Sequence, residues 1–119
     1  MPADPRDLAD EEFCYLTTIG RVTGRPHEIE IWFALGDSGR TLYLLSGGRD
    51  RSDWVKNLRR NPEVAVRIDG ERFGGRARIP EDEEDDPARH LLVEKYERNA
   101  GSLANWRRNA LPVAVDLTL

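Results

Sequence analysis

Apolar and polar residues alternate with a period of two in six stretches of this chain, and that pattern predicts strands. The first is Cys14–Ile19, where Thr17 and Thr18 favour extended backbone. In the second, His27–Phe33, the residues Ile29, Ile31 and Phe33 form the core-facing row, and His27 and Trp32 fall on opposite faces. Thr41–Leu45 pairs with it across the turn Gly36-Asp-Ser-Gly39, making a hairpin over residues 27–46. Val64–Ile68 and Arg72–Ile79 flank Asp69-Gly70, the tightest hairpin signal in the chain. Gly74-Gly75 inside the latter predicts a bulge or bend. Val113, Val115 and Leu117 close the series.

Helical spacing interrupts this pattern in a few places. Ser52 or Asp53 caps a helix that ends at Asn61-Pro62, with Trp54, Val55 and Leu58 on one flank. A second helix opens in the acidic block Glu81–Asp86, whose charges suit a helix N-terminus, and carries Leu91, Leu92 and Tyr96 as its apolar stripe. After a break over 99–102, Leu103–Asn109 makes a short helical turn, and residues 1–12 form an N-terminal helix or arm. Strands joined mostly by hairpins, with helices after the third and fifth, exclude a doubly wound parallel sheet. They predict a mainly β fold with inserted helices, a small barrel of six or so antiparallel strands.

At 119 residues the chain makes one domain, 1–119, with one core. A hydrophobic fraction of 39% beside 34% charged residues excludes a disordered chain. No apolar run reaches the ~20 residues of a membrane-spanning helix, and the first residues lack an apolar leader, so the expected location is cytoplasmic. The one cysteine, Cys14, and two histidines, His27 and His90, offer neither a disulfide nor a metal site nor a hydrolytic triad. The net charge of −4 argues against nucleic acid as a partner.

Charge is nevertheless concentrated. Ser46–Pro62 runs from a strand end through Gly47-Gly48 to Arg49, Arg51 and Lys56 at the start of a helix. Exposed helix amides beside arginines form a site for phosphate or carboxylate, although a glycine turn and a solvated basic face would look the same in sequence. Trp54 reads either as a core anchor or as a wall of that site. His27 reads first as a surface strand residue, with a cofactor-binding contact to the phosphate as the lesser alternative.

Taken in order, Leu16–Pro26 (LTTIGRVTGRP), Ile31–Phe33 (IWF), Leu44–Gly48 (LLSGG), Asp53–Leu58 (DWVKNL), Asn61-Pro62 and the closing Leu111–Val113 resemble the deazaflavin-dependent nitroreductase family. The resemblance implies a split β-barrel of the flavin-binding, pyridoxamine-phosphate-oxidase-like group. It further implies hydride transfer from reduced coenzyme F420 to a quinone, nitroaromatic or other activated small-molecule acceptor. In this reading the cofactor ring lies near Ile31, Trp32 and Ser46-Gly47-Gly48, with Trp54 and Asn57 on the adjoining helix. Its phosphate meets cations drawn from Arg25, Arg49, Arg51 and Lys56. A homodimer is also implied.

One departure stands out: some relatives carry a lysine between the serine and the glycine pair, whereas Ser46 here runs directly into Gly47. FMN is therefore kept as the alternative cofactor, and a non-catalytic cofactor-binding module as the alternative role. The want of any acid–base pair suits a reaction whose chemistry the cofactor carries.

Overall fold

A computed structural model describes residues 4–100 and 103–119, with side chains over 98–100 left aside. Seven strands form one antiparallel sheet: β1 (Cys14–Ile19), β2 (Pro26–Ile31), β3 (Ala34–Leu35), β4 (Thr41–Ser46), β5 (Glu63–Ile68), β6 (Glu71–Arg78) and β7 (Leu111–Thr118). Helix α1 (Asp53–Arg60) joins β4 to β5, while α2 (Asp82–Ala100) and α3 (Ala104–Asn109) join β6 to β7. The sheet order is β2-β1-β5-β6-β7-β4-β3. Its two edge strands, β2 and β3, are consecutive in the chain and separated only by Trp32 and Phe33. The three Cα steps from Ile31 to Ala34 span about 10 Å at full extension. The sheet must therefore curl until its edges approach, which makes the half-barrel.

The seventh strand comes from a break in what alternation predicts as one strand, His27–Phe33. Across it the chain changes partners: Cys14 pairs with Ile31, and Ala34 pairs with Tyr43. Phe33, between them, leaves both ladders. Its N–H donates to the Tyr96 hydroxyl at 2.9 Å, and its C=O accepts from Lys95 Nζ at 2.9 Å. The single Tyr96 proton is shared between the carbonyls of Glu12, at 2.7 Å, and Phe33, at 2.9 Å. Two side chains of α2 thus replace the ladder bonds that the bend removes. Lys95 Nζ also lies 3.6 Å from the Phe33 ring centroid.

The interior is filled by alternate residues, among them Leu16, Phe33, Leu42, Leu44, Val66, Ile68, Val113 and Val115. Each such side chain contributes about 1.5–3 kcal/mol through burial. A second apolar layer lies outside the sheet, where Tyr43, Leu45 and Ala114 meet Ala88, Leu92 and Tyr96. This explains why β4 is buried on both faces. Trp32 belongs to this outer layer, stacked on Tyr96 at 4.2 Å with Trp106 edge-on at 5.7 Å.

Three sequence expectations are corrected. Gly74-Gly75 makes no bulge, since β6 keeps unbroken register with both β5 and β7. Gly75 is small because β7 lies close: a Cβ there would stand 2.6 Å from Val115 Cγ1. The N-terminal helix is one 3-10 turn, Pro5–Leu8. The acidic block opens α2 as expected, and its Glu84, Asp85 and Asp86 also pair with Arg78, Arg89 and Arg107. Arg78 also holds Asp116 and draws both carboxyls below their usual range. Of the expected break over 99–102, residues 99 and 100 continue α2 and residues 101–102 lie outside the described part.

Candidate functional site

At one end of the half-barrel, the β1–β2 hairpin loop and the start of α1 enclose an open cleft of about 480 Å³. It is lined from the hairpin by Thr18, Gly20, Arg21, Thr23 and His27, and from α1 by Asp53, Trp54 and Asn57. Strand register decides who faces inward. Cys14, Leu16 and Thr18 stand opposite Ile31, Ile29 and His27, so the core-facing row of β2 ends in a histidine at the mouth.

Asn57 holds the two halves together. It is buried, and one helical turn separates it from Asp53, so both side chains share a face of α1. Its Oδ1 accepts from the Arg21 backbone N–H at 3.2 Å and from Arg21 Nη1 at 2.8 Å. Its Nδ2 donates to Thr18 Oγ1 at 3.3 Å. Arg21 Nη2 reaches Asp53 at 3.2 Å. A buried amide so engaged leaves no polar atom orphaned, and it fixes the guanidinium in the cleft. The N-terminus of α1 has no side-chain cap, so its first amides are available to an anion.

The turn before α1 is organised by hydroxyls. Ser46 is buried and its Oγ donates to the Arg49 carbonyl at 2.9 Å. With that proton committed, Ser52 Oγ donates to Ser46 Oγ at 2.8 Å. Gly48 accommodates this bond, because a Cβ would stand 2.5 Å from Ser52 Oγ. Gly47 has no neighbour within 4 Å of its Cβ position and faces open space.

The structure therefore brings together His27, Trp54 and Asn57 of the residues singled out in the sequence, and distributes the others. Ser46, Gly47 and Gly48 form the adjoining turn, outside the lining of this cleft. Arg49 turns its Nη1 to the Asn109 carbonyl at the end of α3, 2.6 Å away. Arg25, Arg51 and Lys56 are exposed and lie outside the cleft lining. Ile31 packs half-buried on the inner core, and Trp32 sits on the outer face under α2.

Arg21, Thr18 and Asp53 were not singled out beforehand. The available signal was the four-residue spacing of Asp53 and Asn57 opposite an arginine in a hairpin loop.

The model of the F420H(2)-dependent quinone reductase family matches residues 5–118. The chain belongs to that family. An F420H(2)-dependent quinone reductase of Mycobacterium tuberculosis is 29% identical over 102 residues, covering 84% of this chain and 68% of the relative. Among solved structures, an F420-H2 dependent reductase superposes with a TM-score of 0.69 at 24% identity, covering 88% of this chain and 94% of the other. A Listeria innocua protein described provisionally as a pyridoxamine 5'-phosphate oxidase gives a TM-score of 0.68 at 22% identity, over 94% and 88%. The fold is thus the pyridoxamine-phosphate-oxidase-like split barrel. Membership in the quinone reductase family makes the chain an F420H(2)-dependent oxidoreductase, implies reduced F420 as cofactor rather than FMN, and implies a quinone-type small-molecule acceptor. No helix among the described residues is long and apolar enough to cross a membrane.

Proposed function

We propose that the cleft between the β1–β2 hairpin and α1 receives the anionic tail of reduced F420, from which hydride passes to a quinone-type acceptor. The observation that carries this reading is the Asn57 clamp, which presents Arg21 beside the uncapped start of α1. Two independent sources of positive potential meet there, and a phosphate held by such charge-assisted bonds gains roughly 1.5–3 kcal/mol from each.

When bound, F420H(2) supplies the hydride. The residues of the chain bind, orient and exclude water. Arg21 and the α1 amides anchor the tail, and half-buried Trp54 offers an apolar wall at the mouth. The open Gly47 position lets a flat group approach the backbone closely. Ile31, Trp32 and the Ser46–Gly48 amides remain the candidates for contact with the ring, with Arg25, Arg49, Arg51 and Lys56 as outer cations. A homodimer belongs to the same proposal, since β2 is an edge strand whose Ile29 is left half-exposed at the cleft.

Calorimetric titration of the purified chain with F420, followed by turnover with menadione, tests the reading. Micromolar or tighter binding with menadione reduction is expected. Binding without turnover would favour the carrier role, and the absence of binding would remove the proposal.

A further inference from the structure

We propose that His27 is the charge-variable residue of this cleft, so that binding of the cofactor's anionic tail is coupled to protonation of its imidazole. The inference rests on the reading of the cleft given above and adds a property of this chain's own side chains.

Geometry comes first. His27 is the last inward-facing residue of β2, opposite buried Thr18. Its ring lies across the entry to the hairpin loop. A Cβ on Gly20 would stand 2.7 Å from His27 Nε2 and 2.9 Å from Thr23 Oγ1, so the missing side chain at position 20 makes the space that the imidazole uses.

Charge comes second. Four residues with ionisable side chains line the cleft: Arg21, His27, Glu28 and Asp53. Arg21 already faces Asp53 from α1 at 3.2 Å. Glu28, one residue along β2, alternates to the outer face and pairs there with Arg67 of β5 at 3.2 Å. From β1 the facing residue is Thr18, which is neutral. Arg25 is in the loop but outside the lining. The net charge offered to an anion therefore changes with one group, the imidazole, whose protonated form is also a donor at both nitrogens.

Linkage fixes the direction. A bound anion favours the charged imidazole, so the complex holds its proton to higher pH than the unliganded protein does. Affinity is then greatest at acidic pH and falls by up to about tenfold per pH unit as the unliganded imidazole deprotonates.

The experiment is calorimetric titration of the full chain with F420 at several values between about pH 5.5 and 8.5, the range that brackets imidazole ionisation. Wild type is compared with His27→Gln and His27→Arg, because differences at each pH cancel any titration of F420 itself. NMR of the ring signals of the two histidines, with and without F420, accompanies it. His90, exposed on α2 beside Glu94, is the internal control.

Wild-type affinity should fall about tenfold between pH 6 and 8 relative to His27→Arg, which stays tight. His27→Gln should bind weakly throughout. The His27 ring signal should titrate at higher pH in the complex while that of His90 does not move. Parallel pH profiles for wild type and His27→Gln, or an unmoved His27 signal on F420 binding, overturn this inference and leave the proposed function standing. Failure of F420 to bind wild type at any pH overturns both.

Discussion

Two places in this barrel hold a backbone irregularity with side chains from a helix, and they do so for opposite ends. At the strand break, Tyr96 and Lys95 satisfy Phe33, and the stacked rings of Trp32 and Tyr96 seal the bend from outside. At the hairpin loop, Asn57 satisfies Arg21 and Thr18, but the result faces an open cleft. The first arrangement spends its polar atoms on the fold. The second leaves a helix terminus without a side-chain cap beside an open cleft, which is the difference between a structural clasp and the proposed binding site.

If that contrast is right, Tyr96→Phe has the largest effect on stability and little on cofactor affinity. It strands the Phe33 N–H and the Glu12 carbonyl, which should cost about 1–3 kcal/mol in urea denaturation. Asn57→Ala should show the converse. Arg21 loses its anchor, and F420 affinity measured by calorimetry should weaken about tenfold, more than it does in Arg51→Ala, whose side chain lies outside the cleft. Equal losses of affinity in Tyr96→Phe and Asn57→Ala would merge the two regions into one functional unit.

The smallest expected effect concerns Lys95, and it sharpens the structural side of the contrast. Burial pulls its amine down to about 8, with Cys14, Asp10 and Glu11 opposing that shift. Above that pH the unfolded chain keeps a proton that the folded chain has lost, so stability rises with pH until the unfolded amine also deprotonates. Cys14 works the other way. Burial pushes its thiol up to about 12, so stability falls as pH rises through the range where only the unfolded thiol ionises. A modest gain between pH 7 and 9 is therefore expected by denaturant titration, and Lys95→Met should flatten it. An unchanged slope would place the amine in water.

Much of this was legible in the sequence, for identifiable reasons. Period-two alternation placed the six long strands, because each inner residue must be buried and each outer one covered or wet, but not the two-residue β3. It also set His27 and Trp32 on opposite faces, where they are found. Asp69-Gly70 forms its hairpin through positive φ at both residues, as that dipeptide favours. The break between β2 and β3 was not legible, since alternation runs on through it: Ile31 and Phe33 still point in, Trp32 and Ala34 still point out. Only the hydrogen-bond partners change, and side-chain periodicity carries no record of those.

The site divides in the same way. A family resemblance and the glycine turn leading into a basic helix start pointed to the Ser46–Pro62 region, and the structure builds its cleft against that helix, whose expected side-chain cap is not formed. Which cations reach it could not be read from their proximity in sequence. Arg49, Arg51 and Lys56 are close to the helix start along the chain, yet Arg49 turns to α3 and the other two stay exposed. Arg21 comes from a hairpin 32 residues before Asp53. Local pattern by itself determined the elements, their inward faces and the class of the barrel, because those follow from residue spacing and burial. The curl of the sheet, which brings the hairpin to α1 and the strand break to α2, decided where charge and hydrogen bonds meet, because electrostatic contact depends on distance in space and not along the chain.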